Sequence, residues 1–160
     1  MAIRKNRMGG GASAADGKAK VAQSPYSAIH SGPGRVLTAV YGVFALSATA
    51  RAGYQFYRDF QHAPLAYSLS LFAAVVYVVA IVCLVIGNKV THHIAVAAVS
   101  VELVGVLAVG LLSVLHPELF PEATVWSTFG IGYGFVPLVL PFVGLFWLLR
   151  VGRRARAAAE

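Results

Sequence analysis

Four long apolar stretches organise the chain, at residues 36–56, 65–86, 94–115 and 129–149. Each is close to the ~20 residues that an α-helix needs to cross a bilayer. Such stretches are too long for the strands of a soluble sheet, and they lack the alternation that marks an outer-membrane barrel. The pattern therefore predicts an all-α membrane protein, with a four-transmembrane-helix bundle occupying residues 35–150.

The two ends of the chain have a different composition. Residues 1–34 are rich in Gly, Ala, Ser, Lys and Arg, and residues 151–160 carry further arginines. The first segment cannot bury enough surface to offset its ordering entropy, so we expect a disordered, basic N-terminal tail. Residues 151–160 are expected to form a second basic tail.

Composition narrows the class of protein further. Apolar residues make up 58% of the 160 residues and charged residues only 12%, which argues against a water-soluble domain. The net charge of +7 comes mainly from the ends of the chain. Nucleic-acid binding needs a basic face on a polar domain, so nucleic acid is not an expected partner. The single Cys83 excludes an intrachain disulfide.

The distribution of Lys and Arg predicts the orientation in the membrane. Eleven of the thirteen basic residues lie in the N-terminal tail, the 87–93 connection and the C-terminal tail. They are Arg4, Lys5, Arg7, Lys18, Lys20, Arg35, Lys89, Arg150, Arg153, Arg154 and Arg156. The positive-inside rule then places both termini in the cytoplasm, in a multi-pass protein of the bacterial inner membrane. The last four arginines are expected to contact anionic lipid.

One alternative changes the number of spans. Ala48-Thr49-Ala50 follows an apolar run and resembles a signal-peptidase site, and cleavage there would leave three spans. The lead of about 35 residues is long for a signal peptide, so we favour four spans.

Small residues predict where helices pack. Thr38, Gly42, Ala45, Thr49 and Gly53 form a seam along the first span, and Gly130 and Gly134 lie four apart in the fourth. Membrane helices associate through close packing at small residues, so Gly42, Gly53, Gly130 and Gly134 are candidate interface positions.

Glu102 is the only acidic residue within the predicted spans. Counting from residue 94, it lies roughly 12 Å into the cytoplasmic half of the membrane. A carboxyl group there should face the bundle, with Ala95, Ala98 and Gly105 as small neighbours. It is either a proton or cation site, with Tyr41, Tyr77 or Tyr133 beside it, or a structural carboxyl hydrogen-bonded to another helix.

Arg51 is the other candidate anchor or interface residue. It lies roughly 22 Å from the cytoplasmic edge, about 10 Å from the level of Glu102, so a simple pair between them is not expected. We favour anchoring at the membrane surface, or pairing with Asp59, Glu118 or Glu122.

Other motifs support no chemistry. Gly132-Tyr133-Gly134 matches part of the potassium-channel filter motif, but no pore helix precedes it. These glycines open a span of ordinary length, so a kinked start to the fourth helix is expected. Phe120 and Trp126 are interpreted as aromatic anchors at the membrane surface. His62, His116, Glu118 and Glu122 lack metal-ligand spacing. We find no catalytic motif, so we expect no enzyme activity, no metal and no cofactor.

The chain resembles the small four-helix integral membrane proteins of actinobacteria. The resemblance rests on residues 39–53, 63–67, 101–105 and 123–141. It implies a fold and a lineage, but no chemistry. The small multidrug resistance exporters also have four helices, but their essential Glu lies in the first helix, so their residues cannot be carried over. DoxX-like proteins offer only an architectural comparison.

Two functions follow as expectations. The first is a non-enzymatic accessory or scaffold subunit of a larger membrane complex, such as a respiratory supercomplex or an envelope-assembly complex. Its partners would be the lipid bilayer and larger membrane proteins, or further copies of itself. The alternative is a small proton-coupled transporter that uses Glu102.

Overall fold

The computed structural model describes Tyr26 and residues 32–159, and the described part is all-helical. Four helices are long and apolar enough to cross a membrane. They are α1 (Pro33–Asp59), α2 (Pro64–Ile86), α3 (Lys89–Leu115) and α4 (Val136–Ala157). Two 3₁₀ segments, Pro117–Leu119 and Ser127–Tyr133, lie between α3 and α4. The predicted bundle is present, whereas the predicted N-terminal tail lies largely outside the described residues.

Local sequence signals place most helix ends. Proline in the first turn begins α1, α2 and α4, where its missing N–H costs no helical hydrogen bond. Asn88 and Thr91 form a capping box that begins α3. This helix therefore starts at Lys89 and not at residue 94, because a capped helix continues beyond its apolar part.

The helices pack in chain order, α1 on α2, α2 on α3 and α3 on α4, and α1 touches α4 only slightly. The buried stripe of α1 consists of Leu37, Tyr41, Ala45, Ala48 and Ala52, a helical spacing. Alanine dominates this stripe, which allows close approach to α2. The core contains the side chains of Tyr41, Tyr77, Val99 and Leu148.

The predicted seam on α1 does not form one continuous interface. A Cβ added at Gly42 would lie 3.2 Å from Ile81 Cδ1 on α2, so Gly42 does lie at a helix contact. Gly53 has no neighbour within 4 Å of such a Cβ, and it is exposed together with Thr49. The buried stripe diverges from the seam because Ala48 and Ala52, and not Thr49 and Gly53, turn towards α2.

The fourth span begins later than the sequence pattern predicts. Residues 127–133 form a 3₁₀ segment, and α4 starts at Val136 and not at residue 129. Gly130 and Gly134 have φ angles of 79° and 62°, in the left-handed region that glycine tolerates. These two glycines therefore shape a turn ahead of α4, and the predicted small-residue face on a fourth helix is absent there.

Candidate functional site

Glu102 lies at the middle of α3, a helix of 27 residues, and its exposed fraction is 0%. Ala95 and Ala98 are buried on the same face. The inward orientation expected from the small neighbours is therefore present.

Tyr41 of α1 holds the carboxyl group. Its O–H donates a hydrogen bond of 2.7 Å to Glu102 Oε2, and both side chains are fully buried. Gly144 of α4 makes room for this pair, because a Cβ added there would lie 3.3 Å from Tyr41 Oη. Three helices thus meet at one hydrogen bond between side chains.

Three further polar atoms at the site have no direct partner among the described residues. They are Glu102 Oε1, Tyr77 Oη and Trp126 Nε1, and all three are buried. The Tyr77 hydroxyl faces both the carboxyl group and the indole without meeting hydrogen-bond geometry with either. The three atoms comprise one acceptor and two donors, so the site has unused hydrogen-bonding capacity of both kinds.

Trp126 reaches this cluster from the connection between α3 and α4. Its exposed fraction is 1%, and a Cβ at Gly105 would lie 2.7 Å from its ring. Gly105 is about 15 Å along the helix axis from the end of α3 at Leu115. The expectation that Trp126 anchors the chain at the membrane surface is therefore wrong. Gly105 admits the indole into the bundle.

The connection around Trp126 is held by a compact hydrogen-bond network. Thr124 Oγ1 accepts bonds of 3.1 Å and 3.0 Å from the backbone N–H groups of Trp126 and Ser127. Ser127 Oγ accepts a bond of 2.9 Å from Thr124 N–H. Non-helical backbone at membrane depth is tolerated only where protein satisfies its polar groups, and these hydroxyls do so.

The next residues adopt strained conformations that α3 supports. Thr128 and Phe129 have φ angles of 50° and 58°, unusual for side chains of their size. Thr128 N–H donates a bond of 2.7 Å to Ser113 Oγ of α3. A Cβ at Gly110 would lie 2.6 Å from the Phe129 ring, so this second glycine lets the ring lie against the helix.

Arg51 lies at the other side of the same connection. Its guanidinium donates bonds of 3.0 Å to Tyr133 Oη and 3.1 Å to the Ala123 carbonyl oxygen. The partners differ from those expected from sequence. Arg51 binds Ala123 and Tyr133, which lie near the two ends of the re-entering connection, the segment of residues 123–133 that folds back into the bundle ahead of α4. Glu118 instead accepts a bond of 2.9 Å from His116 Nδ1.

Aromatic rings link the Arg51 and Glu102 regions. The centroids of Tyr133 and Phe44 are 6.0 Å apart, those of Phe44 and Tyr77 are 5.9 Å apart, and those of Tyr77 and Tyr41 are 6.2 Å apart. Of the three tyrosines considered beside Glu102, Tyr41 and Tyr77 lie at the carboxyl group. Tyr133 lies with Arg51.

The arrangement is suited to holding a proton. It combines one carboxyl group, two phenols and an indole in a space closed by protein. Within the described part of the chain, no three His, Cys, Asp or Glu side chains lie together as metal ligands would.

Sequence reasoning did not identify Thr124, Ser127, Ser113 or Gly110 as parts of this region. The available signal was a run of hydroxyl residues and an aromatic residue just ahead of a Gly-rich segment, together with glycines in α3. Comparison of the chain with protein-family models, curated proteins and solved structures finds no match.

Proposed function

We propose that this protein is a non-enzymatic accessory or scaffold subunit of a larger membrane complex, docked through α1. One observation carries the proposal: α1 is both the least apolar and the least buried of the four spans. A helix that faces lipid should be the most apolar, not the least. Coverage by another protein in the membrane resolves this conflict.

The outer face of α1 has the chemistry of a helix–helix contact. Thr49, Ala50 and Gly53 are exposed there, flanked by Leu46 and Tyr57. Small residues between larger ones let a second backbone approach closely, and a threonine hydroxyl gains a partner in such a contact.

A groove adjoins this helix. It has a volume of ≈ 540 Å³ and lies between α1 and α4, where the two helices barely touch. Val36, Val40, Val139 and Val143 line it. The occupant we propose is an apolar transmembrane helix of the partner protein, because the walls are apolar.

We further infer that both ends of the chain face the cytoplasm and that the protein resides in a bacterial inner membrane. The charge distribution supports this orientation. The host that we propose is a respiratory supercomplex or an envelope-assembly complex. Arg150, Arg153, Arg154 and Arg156, on the last turns of α4, face the anionic leaflet in this orientation.

The test is native purification of the full chain in mild detergent, followed by identification of co-purifying subunits. Gly53→Leu should reduce co-purification at least fivefold, because a bulky side chain there blocks close approach. Nothing within 4 Å of a Cβ at this position opposes the change inside the chain itself.

The matched control is Ala108→Leu, a similar enlargement at an exposed position of α3. It should leave co-purification unchanged. Equal recovery of partner subunits with wild type and Gly53→Leu would contradict docking through α1. Recovery of this chain alone, in dimers that Gly53→Leu disrupts, would identify the covering helix as a second copy.

A second candidate is a small proton-coupled transporter, favoured by the unpaired Glu102 Oε1 at the centre of the bundle. Intramembrane carboxyl groups commonly mark proton relays. Reconstituted vesicles with a proton gradient test it, with Glu102→Gln as the comparison. Transport by the wild type that is lost in Glu102→Gln would establish this function. Absence of transport across a broad substrate panel would favour the accessory subunit.

A further inference from the structure

A polar cavity lies between α3 and α4 at the end opposite the Trp126 connection. Its volume is ≈ 190 Å³, several times the ~30 Å³ that one water occupies in the liquid. His92 and His93 of α3, Arg153 and Arg156 of α4, and Tyr26 contribute its polar walls. None of the described residues that line it is acidic.

The buried side chain of His92 forms part of the wall of this cavity. Its exposed fraction is 5%, and its buried Nδ1 has no hydrogen-bond partner among the described residues. The ring packs 5.0 Å from that of Tyr26, which holds it in the wall. The buried His92 ring therefore forms the inner wall of the cavity.

Gly152 brings the two helices together at this point. A Cβ added there would lie 2.8 Å from His92 Nε2, so only glycine lets α4 approach the imidazole. The same approach brings Arg153 and Arg156 to the cavity, because residues three apart share a helix face. Two guanidinium groups on one helix face form a pair that recognises phosphate oxygens.

A second groove continues from this cavity along α4. It has a volume of ≈ 280 Å³ and is lined by Phe146, Leu149, Arg150 and Arg153. Leu149 and Arg153 belong to both spaces. A polar cavity beside a groove that carries both apolar and arginine side chains matches a phospholipid, whose charged headgroup is joined to acyl chains.

We propose that the cavity binds the phosphate group of an anionic membrane phospholipid, with the acyl chains lying along Phe146 and Leu149. Arg153 and Arg156 donate hydrogen bonds to the phosphate oxygens, and the two histidine rings line the cavity beside them. The arginines at the end of α4 therefore differ in role. Arg153 and Arg156 line the cavity, whereas Arg154 lines neither space. The site needs no protein partner, so it stands or falls independently of docking through α1.

The experiment is a lipid titration of the full-length protein in detergent, read by native mass spectrometry. The probes are phosphatidylglycerol, phosphatidylcholine and inorganic phosphate. We expect one tightly bound phosphatidylglycerol, with at least tenfold weaker binding of phosphatidylcholine. Arg153→Gln with Arg156→Gln should weaken phosphatidylglycerol binding at least tenfold.

The matched control is Lys89→Gln with Arg154→Gln, which removes two charges at the same end of the bundle, outside the cavity. It should change binding less than twofold. His93→Ala, an exposed position that keeps both arginines, should weaken binding about threefold and provides a second variant. Size-exclusion chromatography verifies that each variant remains folded.

Three outcomes would overturn the proposal. Equal weakening by both double variants would show diffuse charge attraction in place of a site. Equal binding of phosphatidylglycerol and phosphatidylcholine would remove the selectivity for an anionic lipid. Inorganic phosphate that binds as tightly as phosphatidylglycerol would assign the cavity to a free anion and not to a lipid.

Discussion

Tyr41 and Glu102 meet at the centre of the bundle, where the phenolic O–H donates a 2.7 Å hydrogen bond to the carboxyl group. The residues are 61 positions apart in sequence, so this bond joins α1 to α3 across α2. It is the polar contact on which the choice between a structural carboxyl and a proton site depends.

Replacing Glu102 should separate hydrogen bonding from charge. Glu102→Gln keeps an oxygen that accepts from Tyr41 and removes any need to bury a charge, so stability should be unchanged or higher. Glu102→Leu leaves the Tyr41 hydroxyl without its acceptor and should cost ~1–3 kcal/mol. Unfolding in SDS and detergent mixtures measures both. A Gln variant that is less stable than the Leu variant would refute this account.

Gly105 should be intolerant of any side chain. Gly105→Ala places a methyl group 2.7 Å from the buried Trp126 ring, and we expect a loss of ~1–3 kcal/mol because the indole is held by its own connection. Gly53→Ala is the control: it meets nothing within 4 Å and should gain up to ~1 kcal/mol of helix propensity. Trp126 fluorescence and unfolding report both changes. Equal behaviour of the two variants would show that the indole moves freely.

Arg51 should stabilise the connection through the two directed N–H groups of its planar guanidinium and not through its charge alone. Arg51→Lys keeps the charge but cannot reproduce the paired bonds to Tyr133 and Ala123, so residues 123–133 should exchange amide hydrogens faster. Arg58→Lys, at an exposed arginine bonded to Tyr54, should leave that exchange unchanged. Protection retained in Arg51→Lys would return Arg51 to a role as a simple surface anchor.

The orientation can be read by labelling single cysteines in a Cys83→Ala background. An impermeant thiol reagent added to intact cells should label Arg58→Cys and Glu122→Cys, because both lie on the side with few basic residues. Lys89→Cys should be labelled only after the cells are opened. Labelling of Lys89→Cys in intact cells would reverse the predicted topology.

Glu118 gives the connection a local response to pH. Hydrogen bonds from its own backbone N–H and from His116 lower the pKa of its carboxyl group. The contacts are therefore present above the ordinary glutamate pKa and are lost as the pH falls through the lowered value. His116→Ala should raise this pKa part of the way back, as measured by carbon NMR. An unchanged pKa would show that the backbone bond alone accounts for the shift.

The sequence predicts α2 and the inward face of α3 well because apolarity, small neighbours and a buried carboxyl group all agree there. The segment before α4 is different. Residues 129–135 carry no charge and continue into the apolar fourth span, and such a pattern cannot distinguish helix from irregular backbone that is buried in protein. The left-handed conformations of Thr128 and Phe129 are supported by Ser113 and Gly110, which are distant in sequence. The Gly-rich segment predicts a kinked helix start, but these distant partners cannot be read from it.

The re-entering connection also determines the order in which parts of the bundle can fold during synthesis. The Trp126 ring fills the space directly beside Gly105 of α3. It can reach that space only after α3 has left the translocon and the following residues have been synthesised. Until then, Glu102 and Tyr77 are open on that side to lipid, water or a chaperone. The polar centre of this bundle is therefore completed only after the connection that follows α3 has been synthesised.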